Sequence, residues 1–519
     1  MSDKPVCLIA FEDQDNLGVG YLASVLLKAG FNVKILDFCL GKERILEKIK
    51  LYNPLVVGFS IIFQYHIDGF KELIDYLRTS KIVCHFSAGG HYPSLRYDEL
   101  LKFVPQLDSV VLFEGEHTFL ELVKTVYAGG NWKNIEGIAY REKGLIVANR
   151  LRPLENDLDF FPIPVRQPLK EFAFGKKYAT ILAGRGCVYD CSFCSIREFY
   201  SKPAGLLKRV RRPEMVAGEM DLLQKQKDCS VFMFQDDDFP VAKSGGQWVR
   251  DFCNILVQKG LSKKILWKIN CRPDEVESNT FEMMRKCGLF LVYLGIETGT
   301  DEGLRLMNKR ITVETNLKAV KTLKALKIKF DFGFMLFDPS TTYKSILDNL
   351  NFLEIVCGDG SSPITFCKML PYAGTKIESE LRKEGRLKGN NGFYDYDFLD
   401  FSINHLYSFM VDCFEDWIMK RDGLLNASRW LRYCLAVYEK HFSKNSMFED
   451  LNMAASEIIS QSNQYFINRV RKLVSIYSLQ DYAKQKEVLS IIKDDIAIHH
   501  SEYILKLNKI FEKLKNMSP

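Results

Sequence analysis

The chain has 519 residues, with 71 Lys plus Arg against 65 Asp plus Glu and 47% hydrophobic residues. At roughly 100–200 residues per domain it holds two to four domains, each apolar enough to bury a core, which excludes a disordered chain. A net charge of +6 with no basic tract gives no support to a nucleic-acid partner.

The opening MSDKPVCLIAFEDQ carries a short apolar run followed by acids, which fits neither a secretory signal nor a membrane anchor. The longest apolar stretches, such as Cys287 to Ile296, fall short of the ~20 residues that span a bilayer. The expectation is a cytoplasmic protein without a membrane partner. Its fourteen cysteines are then reduced thiols, unless some cluster at ligand spacing.

From residue 5 to about 128, β-rich apolar runs alternate with segments of helical period. The predicted strands are Pro5 to Phe11, Phe31 to Phe38, Leu55 to Ser60, Ile82 to Ser87 and Ser109 to Phe113. Leu17, Tyr21, Leu22, Val25 and Leu26 form the clearest helical stripe, closed by Gly30 as its cap. Five strand–helix units imply a doubly wound, flavodoxin-like parallel sheet, in which ligands sit beyond the carboxyl ends of the strands. Residues 135–149 read as a hairpin turning at Lys143 and Gly144. Pro153, Pro162, Pro164 and Pro168 mark a boundary, so the first domain spans 1–150 and a linker spans 151–172.

A second alternating series follows over 173–385. Its predicted strands are Tyr178 to Ala183, Ser230 to Phe234, Ile265 to Asn270, Leu289 to Ile296, Lys329 to Leu336 and Pro363 to Met369. Six units suggest a partial α/β barrel, with its chemistry at the carboxyl ends of the strands. Residues 386–519 change to helical periods rich in Phe, Tyr, Leu and Lys, and form a helical C-terminal domain. The aromatics there, among them Phe401, Tyr407, Phe409, Phe414 and Trp417, read as core.

Directly after the first barrel strand stands Gly184-Arg185-Gly186-Cys187-Val188-Tyr189-Asp190-Cys191-Ser192-Phe193-Cys194, with three cysteines in eight residues. Thiolates at this density on a Gly-containing loop suit a soft metal or an iron–sulfur cluster. A structural zinc site closes with four ligands, and no second Cys or His pair lies near. Chance clustering of buried thiols fits poorly with the polar and Gly residues around them.

The spacing CxxxCxxC, with Phe193 just before the last Cys, resembles the radical S-adenosylmethionine enzymes, whose core is a partial six-unit α/β barrel. The resemblance implies that Cys187, Cys191 and Cys194 hold a 4Fe-4S cluster. S-adenosylmethionine, cleaved to a 5'-deoxyadenosyl radical, binds beside it, with Phe193, Asp237, Arg272 and Glu297 as candidate contacts. An electron donor such as flavodoxin or ferredoxin is implied as a partner. Other stretches agree: Arg212-Pro213-Glu214-Met215-Val216, Gln235-Asp236-Asp237-Asp238-Phe239, Gly295-Ile296-Glu297-Thr298-Gly299 and Pro371-Tyr372-Ala373-Gly374-Thr375. The Asp run has two further readings, a helix cap and a Mg2+ site. Arg272 has the alternative of pairing with Asp274 or Glu275.

The N-terminal loops carry no GxGxxG, so no dinucleotide fingerprint is present. They resemble a cobalamin-binding domain. Where classical members read DxHxxG, this chain reads Asp13-Gln14-Asp15-Asn16-Leu17-Gly18, with aspartate in place of the cobalt-ligating His. Ser60 with Ile62, the pair Gly89-Gly90 and Glu114-Gly115-Glu116 match at later strand ends. The resemblance makes Asp15, Asn16, Ser60, Gly89, Gly90 and Glu116 candidate cobalamin contacts, and a missing Cβ at the Gly pair gives the nucleotide tail room. His66, His85, His91 and His117 share this domain without helix-face spacing. His85 reads as a mid-strand residue, and His91 is the one worth testing.

Together these imply a cobalamin-dependent enzyme that methylates an unactivated carbon of a small-molecule or peptide substrate. The alternative is a radical rearrangement, cyclisation or oxidation on the same scaffold. A non-catalytic cobalamin or redox sensor is a third reading. An RNA methylthiotransferase lacks support, because the N-terminal domain has only Cys7, Cys39 and Cys84 and no second ligand loop.

Overall fold

The computed structural model describes residues 4–12, 15–242, 246–442, 446–479 and 485–517. The chain forms two compact units: 1–169 with 180–219 and 370–396, and 170–179 with 220–369 and 397–519. Neither is a continuous segment. The cysteine loop and the segment Pro371 to Thr375 belong to the unit of the N-terminal sheet, although the sequence reading grouped them with the barrel.

The first unit is built on strands β1 (Val6–Ala10), β2 (Val33–Asp37), β3 (Val56–Ser60), β4 (His85–Gly89), β5 (Ser109–Val111), β6 (Ile138–Glu142) and β7 (Leu145–Ala148), in the order β2-β1-β3-β4-β5-β6-β7. The first five are parallel, as expected. The predicted hairpin is β6 and β7, and it extends the same sheet antiparallel to β5. The strand order reverses between β1 and β3, so the loops after these two strands flank the topological switch point.

Strand β1, VCLIA, is buried along its whole length. Successive side chains point to opposite faces, so Cys7 and Ile9 join the core with Val57, Phe59 and Phe86, while Val6, Leu8 and Ala10 join the other with Val19, Phe119 and Leu122. The helix Leu17–Lys28 starts at Asn16, whose side chain accepts from the Val19 N–H. It ends where Gly30 takes φ +87° and the Phe31 N–H bonds back to the Leu26 carbonyl.

Strand β4 lies later than the predicted Ile82 to Ser87. The Arg78 guanidinium donates to the carbonyls of Ile82 and Cys84, both at 3.0 Å, and takes them out of the ladder. His85 therefore opens the strand instead of standing in its middle, and its ring bonds the Ser109 hydroxyl at 2.8 Å.

The second sheet has the order β16-β15-β14-β13-β12-β9-β8, and a two-stranded ribbon in the first unit joins β10 to β11. The ranges are β8 (Glu171–Ala173), β9 (Lys176–Ile181), β10 (Gly184–Arg185), β11 (Arg209–Val210), β12 (Cys229–Phe234), β13 (Leu266–Cys271), β14 (Leu289–Glu297), β15 (Lys329–Phe337) and β16 (Cys367–Lys368). The six predicted barrel strands are thus β9 and β12 to β16, with β8 added antiparallel at the edge. Strands β12 to β16 are parallel. The last is far shorter than Pro363 to Met369, because the Ile364 N–H is taken by Asn463 Oδ1 at 2.9 Å. Behind β12 and β13, Phe234, Phe239, Phe252 and Trp267 pack as fully buried rings.

A short pair, β17 (Leu387–Lys388) and β18 (Asp395–Tyr396), precedes the helices Phe401–Ile418, Leu424–His441, Ser446–Tyr477 and Lys486–Met517. Phe414 and Trp417 are core, as expected, with Phe414 against Phe466 at 4.9 Å. Phe401 is not core: at the first helical position it is 65% exposed. Among the described residues no helix is long and apolar enough to cross a membrane.

Candidate functional site

In the first unit the three cysteines are half-buried on the loop between β10 and the helix Ser195–Ser201, and Cys194 stands at the N-cap of that helix. Phe193 is half-buried beside them. The loop is held at both ends. At its start Gly186 takes φ +83°, and a Cβ there would lie 1.8 Å from the Leu207 carbonyl oxygen, so only glycine fits. At its end the Ile377 N–H bonds the Ser192 carbonyl at 3.1 Å, and Lys376 pairs with Asp190 at 2.6 Å.

Among the described residues no three or more His, Cys, Asp and Glu side chains converge as they would on a single metal ion. A multi-iron cluster, whose thiolate ligands bind separate irons, does not require that convergence. The donor set of three accessible thiols on a loop with a glycine entry fits such a cluster.

Arg185, two residues before Cys187, is the anchor of this loop. Its guanidinium donates to Glu116 Oε1 at 2.6 Å and Glu114 Oε1 at 3.2 Å. Its other face covers the Tyr21 ring at 4.9 Å and the Phe161 ring at 5.4 Å. Arg209 on β11 donates to both oxygens of Glu114, at 2.8 and 2.9 Å. Burial works against the Glu114 carboxylate, but Arg185 and Arg209 outweigh it and hold its carboxyl below the ordinary range. Glu116, expected to face cobalamin, thus has its carboxylate on Arg185.

The remaining N-terminal candidates fall at the switch point. Asp13 and Gln14 lie outside the described residues. Asp15, at φ 62°, accepts from the Thr180 N–H at 3.2 Å and hydroxyl at 2.9 Å, and pairs with Arg166 at 3.3 Å. The residue that replaces the classical His is therefore an internal brace. Asn16 caps its helix and donates to the Phe11 carbonyl at 3.2 Å. Ser60 and Gly89 end β3 and β4 side by side. Gly90, at φ +119°, has a different reason to be glycine from the one expected: a Cβ would lie 2.3 Å from the Ile61 carbonyl oxygen. His91 is half-buried and stacks on Phe199 with centroids 4.2 Å apart, and His117 pairs with Glu155 at 3.1 Å.

In the second unit the candidates stand at the carboxyl ends of the strands. Asp237, after β12, is exposed, between buried Asp236 and Asp238. Arg272, after β13, pairs with Asp274 at 3.0 Å and donates to the Lys309 carbonyl at 2.6 Å, while its own N–H bonds Glu275. The local-pairing alternative for Arg272 is what the structure contains. Glu297 ends β14 at φ 69°. Burial pushes its carboxyl up, against the pull of Lys309, whose Nζ lies 3.7 Å away and donates to the Gly295 carbonyl. A Cβ at Gly333 would come within 3.3 Å of Glu297 Oε2 and 2.8 Å of the Tyr293 hydroxyl, so glycine on β15 makes room for both.

Residue-level reading missed Arg185, Arg209, Arg166 and Lys309 as the groups that hold these candidates. Arg185 had a visible signal inside the cysteine motif. The others are brought in from distant segments.

The B12 binding domain family matches residues 4–123, and the Radical SAM superfamily matches residues 181–353. An uncharacterized methyltransferase of Pyrococcus horikoshii is 28% identical over 369 residues, 70% of this chain and 77% of that protein. The anaerobic magnesium-protoporphyrin IX monomethyl ester cyclase of Rubrivivax gelatinosus is 28% identical over 333 residues, 59% of this chain and 56% of that protein. The chain thus spans just over half of the cyclase. The cobalamin-dependent S-adenosylmethionine radical enzyme OxsB, solved with aqua-cobalamin and S-adenosylmethionine, has the same fold, with a TM-score of 0.69 at 18% identity over 99% of this chain and 80% of that one. The cofactors that go with the two domains are cobalamin for the first and a 4Fe-4S cluster with S-adenosylmethionine for the second. The chain belongs to the radical S-adenosylmethionine enzymes that carry a cobalamin-binding domain.

Proposed function

We propose that this enzyme is a C-methyltransferase acting on an unactivated carbon of a small-molecule or peptide substrate. The observation that carries this reading is the presence of both domains in one chain that is similar to a methyltransferase over 70% of its length. When bound, the cluster and S-adenosylmethionine supply a 5'-deoxyadenosyl radical and cobalamin supplies a methyl carrier.

The chain's own residues hold and shield. Cys187, Cys191 and Cys194 would hold the cluster, and the Arg185 pairs with Glu114 and Glu116 set the position of their loop. In the second unit Glu297, 3.7 Å from the Lys309 ammonium, would accept hydrogen bonds from S-adenosylmethionine, with Asp237 and Arg272 as further candidates. Ser60, Gly89 and Gly90 offer backbone and a small side chain to cobalamin. Asp15, braced by Arg166 and Thr180, stands at the position where classical cobalamin-binding domains carry their cobalt-ligating His. The electron comes from a flavodoxin or ferredoxin, and fourteen cysteines suit the reducing cytoplasm.

Similarity to the cyclase favours a second reading, radical cyclisation or oxidation without methyl transfer. Anaerobic reconstitution with iron, sulfide and hydroxocobalamin, followed by product analysis, separates the two. Methyl transfer yields S-adenosylhomocysteine together with 5'-deoxyadenosine, whereas 5'-deoxyadenosine alone overturns it. Cys191→Ala is expected to lose the cluster's iron and its paramagnetic signal; equal iron in both proteins would remove the cluster assignment.

A further inference from the structure

Strand β14 ends in a conformation that its last residue does not favour. Glu297 stands at φ 69°, in the left-handed region that a non-glycine residue seldom adopts, and the Thr298 N–H bonds the Ile296 carbonyl at 2.9 Å across it. A three-residue turn of this sign is the rare, strained form of the γ-turn. It coincides with a break in the pairing of β14 with β15 between Leu294 and Glu297. The Glu297 side chain lies back over its own strand, since a Cβ at Gly295 would come within 3.1 Å of its Oε1. Its direction therefore depends on a backbone angle that has to be imposed from outside the turn.

Two buried asparagines impose it. Asn316, on the helix Val313–Ala325, donates through Nδ2 to the Ile296 carbonyl at 3.4 Å and the Thr298 carbonyl at 3.3 Å, one on each side of Glu297. Asn349, on the helix Tyr343–Cys357, accepts through Oδ1 from the Gly299 N–H at 2.6 Å and the Thr298 hydroxyl at 3.0 Å. Asn316, Asn349 and Thr298 are all buried. Asparagine is a poor helix former, so neither helix gains from carrying one there. The Asn316 Oδ1 is itself buried with no hydrogen-bond partner. An acceptor left unbonded in the interior is unfavourable, and it is tolerated here on a side chain whose amide is committed to two carbonyls. The two asparagines thus act in opposite senses, Asn316 as donor and Asn349 as acceptor. Backbone strain persists only where its surroundings over-determine it, and it gathers where ligands are held.

We propose that Asn316 and Asn349 are positioning residues for S-adenosylmethionine, which clamp the backbone around Glu297 and so aim its carboxylate at the cofactor. The proposal rests on the reading of Glu297 as a cofactor contact. It assigns the clamp to two residues outside the stretch Gly295 to Gly299, each brought to the turn by a different helix.

Isothermal titration of S-adenosylmethionine into the full chain, reconstituted with iron and sulfide and kept without reductant, reads the affinity with no turnover. Glu297→Met is expected to weaken binding about tenfold or more, the loss of a charge-assisted contact. Asn349→Leu removes the acceptor and is expected to weaken it about tenfold, whereas Asn349→Asp keeps an acceptor of the same shape and stays within about threefold of wild type. The same change at the other position is expected to do harm: Asn316→Asp sets a carboxylate against two carbonyls and weakens binding about tenfold. Glu297→Met combined with Asn349→Leu is expected to bind no worse than Glu297→Met alone, because the asparagine acts only through Glu297. Wild-type affinity in Asn349→Leu or Asn316→Asp, failure of Asn349→Asp to restore binding, or an additive loss in the double variant overturns the proposal and leaves Glu297 as a contact. Wild-type affinity in Glu297→Met removes the contact and the proposal with it. Neither result touches the product analysis that tests methyl transfer. If circular dichroism shows Asn349→Leu unfolded, Thr298→Val, which removes one of the two bonds to Asn349, is read in its place: binding about threefold weaker is expected, and unchanged affinity overturns the proposal.

Discussion

Replacing Arg185 by methionine tests whether the cysteine loop is held by the buried charge network. The side chain makes two charge-assisted hydrogen bonds, to Glu116 at 2.6 Å and Glu114 at 3.2 Å, and covers two aromatic rings. Glu114 keeps both bonds from Arg209, so its charge stays compensated. Glu116, with its side chain 6% exposed, is left without its partner. Removing one member of a buried pair costs about 3–5 kcal/mol, chiefly the desolvation of the charge left behind. Against a total of about 5–15 kcal/mol, the first unit is expected to open locally or lose its fold near physiological temperature. Hydrogen exchange read by mass spectrometry on peptides from residues 109–127 and 182–200 measures the loss directly. Adding Glu116→Gln is expected to restore about half of it, because the stranded charge is gone. A change below about 1 kcal/mol in Arg185→Met would place the pair in the class of solvent-screened bridges and refute the reasoning.

Gly90→Ala is expected to destabilise the first unit by about 3 kcal/mol, since its Cβ would meet the Ile61 carbonyl oxygen at 2.3 Å at φ +119°; urea unfolding measures it. Asn463 donates to the carbonyls of Cys357 and Ser362 at 2.6 and 2.9 Å and accepts from Ile364 N–H at 2.9 Å. Asn463→Ala is expected to cost about 3 kcal/mol and to raise exchange in residues 357–368, because three buried backbone groups lose their partner. Burial pushes the His91 ring down from 6.5 to about 4. The unfolded chain therefore takes up a proton first as the pH falls, so the stabilisation is full above about 6.5 and is lost toward 4, by about 3 kcal/mol. Unfolding free energies measured between pH 7.5 and 4.5 are expected to fall less steeply in His91→Phe, which keeps the stack on Phe199 without a titrating group.

Much of the architecture was legible from short-range pattern. Alternation of period two and helical period located all five parallel strands of the first sheet and all six barrel strands, because each strand's burial follows from its own side chains. Boundaries moved where a distant side chain took a backbone group, as Arg78 did at β4 and Asn463 did at β16. Phe401 was misplaced in the core because a helix-start position can face solvent whatever its side chain.

The sequence by itself determined the cysteine loop, since cluster ligation needs three thiols on one short segment and spacing records that directly. Tertiary structure alone decided what holds the candidate residues. Arg185 reaches Glu116 across 69 positions, Thr180 reaches Asp15 across 165, and Arg432 reaches Asp331 across 101. A buried charge pair leaves no periodicity in the chain, so any of the 71 basic residues was an equal candidate until folding brought one of them within 3 Å of its acid.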